Sequence, residues 1–153
     1  MNWYPLLLFA HVVAVVVWVG GMFFAHQCLR PAAAQLLEAP QRLQLWNDVF
    51  ARFFLWVWAA VVLIPASGLS IIATIGWSAA PLRWHLMLLV GLVMIAIFLI
   101  VFFSPYRRLQ RSVRAQDWKA GAAALARIRH LVGVNIVLGL ATIAIATAGR
   151  LFA

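Results

Sequence analysis

Four apolar runs, each long enough to cross a hydrocarbon layer, constrain this chain more than any motif within it. They cover about Trp3–Cys28, Val49–Trp77, Trp84–Phe103 and Leu131–Ala148, against the roughly 20 apolar residues that a membrane-spanning helix requires. In lipid, backbone N–H and C=O groups must be satisfied inside the segment itself, so runs of this kind become helices. Of the 153 residues 67% are hydrophobic, and the mean hydropathy is +1.02. A water-soluble core cannot hide that much apolar surface. The expected fold class is all-α: a polytopic membrane protein, one antiparallel four-transmembrane-helix bundle occupying residues 1–153 as a single domain. The first run has no positively charged leader and no small-residue cleavage site after it, so it is expected to remain as a span.

Orientation follows from the twelve Lys and Arg residues. The first connection carries Arg30, Arg42 and Arg52, and the third carries Arg107, Arg108, Arg111, Arg114, Lys119, Arg127 and Arg129. Only Arg83 lies in the second, and only Arg150 near an end. The positive-inside rule places the first and third connections in the cytoplasm and both termini outside, N-out/C-out. Trp3, Tyr4, Trp77 and Trp84 then form an aromatic belt at the outer interface. A multi-pass protein of the bacterial inner (plasma) membrane is expected. The formal net charge of +9 belongs to one membrane face, so its partners are anionic lipid headgroups on the cytoplasmic side and not nucleic acid.

Along the chain, Leu29-Arg30-Pro31 is expected to end the first span, because proline discourages further helix. Ala32 to Gln44 reads as a short interfacial segment broken by Pro40, and Asn47-Asp48 as the cap of the second span. Pro65, followed by Ser67 and Gly68, should kink that span or open its backbone bonding. Gly76 to Pro81 makes a turn, and Ser104-Pro105 closes the third span. The Ala-rich stretch before His130 is helical and leads directly into the fourth span. One cysteine, Cys28, excludes an internal disulfide.

Within the first span, His11, Val15, Trp18 and Met22 share one helical stripe, with His26 at its margin. Ala10, Ala14, Gly21 and Ala25 beside it allow close approach of another helix. An ionisable group held inside a membrane helix is costly, so His11 is a functional candidate. His85 on the third span lies on the same side of the bilayer, although His11 is about 10 Å deeper than the belt at 1.5 Å per residue. Two imidazoles on facing helices can ligate a haem b. Cu(I) instead prefers soft donors, here Met22, Met87, Met94 and Cys28, with imidazole as helper. The candidate set is therefore His11, His85, Met22, Met87 and Met94 for a metal. For haem it is His11 and His85, with Arg52, Arg107, Arg108 and Arg129 meeting anionic groups at the cytoplasmic mouth. The only carboxylates, Glu38, Asp48 and Asp117, lie in or beside connections, so hydrolytic and carboxylate acid–base chemistry have no support.

Several of these residues also carry a family likeness. His11, then Val16 to Phe24 (VVWVGGMFF), then Leu29-Arg30-Pro31 resemble the first helix of the copper-resistance protein D family. Trp84 to Met87 (WHLM), Ser104 to Leu109 (SPYRRL) and the helix with Arg129, Asn135 and Gly139 resemble its later parts. The resemblance implies an inner-membrane protein of copper homeostasis or transport. The related HemJ-type membrane proteins bind haem b, which implies the alternative of a haem b electron-transfer or oxidoreductase protein. That branch has a His-x-Lys pattern where this chain has His85 and Met87, which argues against protoporphyrinogen oxidase activity. Longer members have extra helices, which implies a homodimer or a membrane redox or copper partner for a four-helix chain.

Overall fold

The computed structural model describes residues 3–148, and within them the long elements are all helical. Four helices are long and apolar enough to cross a membrane: α1 (Tyr4–Leu36), α2 (Ala39–Ile75), α3 (Leu82–Arg114) and α4 (Trp118–Ala148). This is the all-α, four-span bundle expected from the apolar runs. Arg150 lies outside the described residues.

The helices outrun the apolar segments that announce them. Pro31 does not end α1, which continues to Leu36. A π-helical turn over Ala25–Leu29 comes just before the proline. Such a turn widens the backbone and shifts the hydrogen-bond register, so the missing proline N–H leaves no gap in an otherwise regular ladder. Pro105 is accommodated in the same way, inside a π-helical turn over Phe102–Tyr106, and α3 runs on to Arg114. The break between α1 and α2 falls instead at Leu37 and Glu38, both extended. Pro40 then sits in the first turn of α2, where an N–H has no intrahelical partner to lose. Ala32 to Gln44 is thus the end of one helix and the start of the next, and Asn47-Asp48 lies inside α2 and not at its cap. α2 remains helical through Pro65.

Two turns complete the bundle. Gly76, at φ +95°, ends α2 in a conformation that favours glycine. At the other end, Gln116 adopts φ +55° and Asp117 accepts a hydrogen bond from the Ala120 N–H at 2.9 Å, capping α4.

α1 and α3 both pack beside α2 and α4, and lie across the bundle from one another. Trp18 bridges that diagonal, meeting Phe98 edge to face at 6.2 Å. Below it an aromatic column fills the seam: Trp46, Phe50 and Phe54 on α2 meet Tyr106 and Phe98 on α3. Small residues set the helix spacing. A Cβ on Gly139 of α4 would come within 2.9 Å of Val19 and 3.3 Å of Met94, so three helices converge there. Gly21 takes the Phe53 ring in the same way. Lipid chains are as apolar as leucine, so close packing of this kind holds a membrane bundle together.

Candidate functional site

The stripe of α1 turns inward as the sequence suggests: Trp18 and Met22 are buried and His11 is half-buried. What His11 meets is α2 at its proline. The His11 Nδ1 lies 3.1 Å from the Ile64 carbonyl and 2.9 Å from the Ser67 hydroxyl. Ser67 in turn donates to the Leu63 or Ile64 carbonyl. A carbonyl only accepts, so the contact with Ile64 places the proton on Nδ1 and leaves Nε2 with its lone pair. Gly68 lies beside the ring, where an added Cβ would sit in ordinary contact, 3.5 Å from the His11 Cε1. Ser67 and Gly68 were legible in the sequence as part of a helix irregularity. Their pairing with a histidine fifty-six residues away was not, because no spacing rule links two helices.

His85 occupies a different place. It lies in the first turn of α3, where its Nδ1 is 3.3 Å from the Pro81 carbonyl and its ring meets Trp77 edge to face at 5.4 Å. Ser67 lies eight residues before Ile75, the last residue of α2, so the His11 level is roughly 12 Å below that end at 1.5 Å per residue. The two imidazoles therefore have different partners at different levels of the bundle. Of the sulfur donors, Met22 and Met94 are both in the core, Met94 packed beside Gly139 of α4, while Met87 is half-buried about two turns away along α3. Among the described residues no group of three or more His, Cys, Asp or Glu converges. A metal in this bundle would need thioether or backbone donors beside imidazole.

The arginines do not form one mouth. Arg52 and Arg108 are exposed, and Arg107 lies over the Phe102 and Phe103 rings at 6.0 and 5.4 Å. Arg107 also edges a groove of about 380 Å³ between α2 and α3, lined by Phe54, Trp58, Phe102 and Tyr106. Arg129 instead lines a separate cleft with His26 and Arg30. His130 is exposed and does not line that cleft.

Deep in the bundle, Asn135 on α4 donates from Nδ2 to the Met94 carbonyl at 3.2 Å, while its Oδ1 is buried without a partner. It ties α4 to the turn of α3 that carries Met94.

The family model for copper resistance protein D matches residues 47–148. The chain belongs to the copper-resistance protein D family. The matched region holds α3, α4 and most of α2, and with them His85, Met87, Met94, Arg52, Arg107, Arg108 and Arg129. α1, with His11 and Met22, precedes it. No curated protein and no solved structure matches the chain. Membership of this family marks a copper-resistance membrane protein, in agreement with four spans.

Proposed function

We propose that this copper-resistance membrane protein passes Cu(I) across the bacterial inner membrane, with its imidazole and thioether side chains as successive stations. His85 and Met87 receive the ion near the turn between α2 and α3. His11 holds it deeper, and Met94 and Met22 carry it into the core. One observation supports the reading above the rest: the hydrogen bonds of His11 hold its ring so that Nε2 keeps the lone pair a metal needs. An outer partner on Nδ1 both fixes the tautomer and raises the basicity of the ligating nitrogen. The sulfur ligands suit the soft monovalent ion, and their separation suits transfer between sites better than tight storage at one. In this reading the basic end of the bundle faces the cytoplasm, and a second copy or a membrane copper partner receives the ion.

The test is Cu(I) binding by the detergent-purified full-length protein, measured by competition with a chromophoric chelator. His11→Ala should weaken binding at least about tenfold, and Ser67→Ala about tenfold or somewhat less, the usual size of an outer-shell loss. Unchanged affinity in His11→Ala overturns the role of His11. An absorbance spectrum of the same preparation is the second check. A Soret band that shifts on dithionite reduction and disappears in His11→Ala would replace the copper reading with haem b.

A further inference from the structure

Three basic or imidazole side chains from two helices meet in one narrow cleft at the basic end of the bundle. His26 and Arg30 of α1 and Arg129 of α4 line one cleft, floored by Trp46 and Phe50 of α2 and by Ile128. Arg42, in the first turns of α2, stands close enough to repel the Arg129 charge, as does Arg30. Like charges brought together by three separate helices oppose the packing that assembles them, and more so where a side chain such as Arg129 is half-buried and poorly screened. The chain's own carboxylates do not relieve this. Asp117 is engaged in capping α4, Asp48 and Glu38 are exposed, and no ion pair joins any of the three to the cluster among the described residues.

An anion from outside the chain meets these conditions. Guanidinium groups offer paired N–H donors in a planar fork, which matches the oxygens of a phosphate. We propose that Arg30 and Arg129, one exposed and one half-buried beside this cleft, bind a phosphate-bearing anion at the surface of the bundle, with Arg42 adding to the local positive charge. Its source is either the headgroup of an anionic phospholipid or inorganic phosphate. The site is separate from the copper stations and does not depend on them.

The experiment is native mass spectrometry of the full-length protein released from mixed micelles of phosphatidylglycerol and phosphatidylcholine. A parallel thermal melt of lipid-depleted protein is run in inorganic phosphate against chloride at equal ionic strength. Wild type should retain phosphatidylglycerol over phosphatidylcholine at least about fivefold, a preference that Arg30→Gln/Arg129→Gln brings close to parity. Arg108→Gln/Arg114→Gln removes the same charge from exposed positions and should keep the preference. Arg30→Lys/Arg129→Lys guards against misfolding, since it keeps charge and helix but loses the paired donors; it should retain less than half of the preference. Selectivity for phosphatidylglycerol with no effect of phosphate identifies the lipid as the source, and a phosphate-raised melting point that the cleft variant loses identifies the free anion. Parity in wild type together with no phosphate effect overturns the site. So does an equal loss in both glutamine doubles, or full retention in the lysine double.

Discussion

Gly139 shows how much a single residue can settle in this bundle. It is buried on α4 where Val19 of α1 and Met94 of α3 press against its bare backbone. A methyl there meets the branched end of Val19, a side chain with little rotamer freedom to move aside. Gly139→Ala should therefore destabilise the detergent-solubilised protein by about 1–3 kcal/mol, the range for overpacking, read as a lowered melting temperature. Gly91→Ala is the control. Nothing lies within 4 Å of the Cβ it adds, and alanine is the better helix former, so its melting temperature should be unchanged or slightly raised. Both glycines were visible in the sequence as small residues in apolar spans. Which one carries a helix contact was not, because that depends on the rotation of each helix about its own axis.

At the scale of elements, few polar links join the helices among the described residues. The Asn135 side chain spans from α4 to the Met94 carbonyl of α3. Interhelical hydrogen bonds in membranes average about 0.6 kcal/mol with a maximum near 1.7, and Asn135→Ala should cost an amount in that range in reversible unfolding from detergent. The cost is held down because the substitution also removes the unpartnered Oδ1. Asp117→Ala removes the cap of α4 and should cost about 0.5–2 kcal/mol. Its readout is faster hydrogen exchange in the first turn of that helix, with the rest of α4 unaffected. Prolines misled the sequence reading at this scale. Pro31 and Pro40 look alike as breakers, yet one follows a π-helical turn inside α1 and the other starts α2. The difference lies in the hydrogen-bond register before each proline, and side-chain identity does not report it.

For the whole molecule, the two ends of the bundle differ in charge. His26, Arg30, Arg42 and Arg129 gather at one, and Trp77 with His85 marks the other. With the basic end in the cytoplasm, an alkaline phosphatase fused after the last residue should be active and one fused after Arg114 inactive. The reverse pattern would invert the bundle and make the His85 end the cytoplasmic one. The direction proposed for the ion would then invert with it.

The apolar runs alone determined that there are four helices, because lipid offers no partner for an open backbone and only a helix closes its own bonds over twenty residues. They also determined that the stripe from His11 to Met22 turns inward, since periodicity is a property of one helix. The family was legible as well, in residues that the matched region later covered from α2 onward. Only the tertiary structure decided which helix each stripe would meet. His11 could face any of three neighbours, and packing set it against Ile64 and Ser67 of α2, away from His85. The same holds for Arg30 and Arg129, ninety-nine positions apart, which share a cleft only once α1 and α4 lie side by side. Contacts between helices arise from shape and from small residues at particular rotations, and a sequence carries no spacing rule for either.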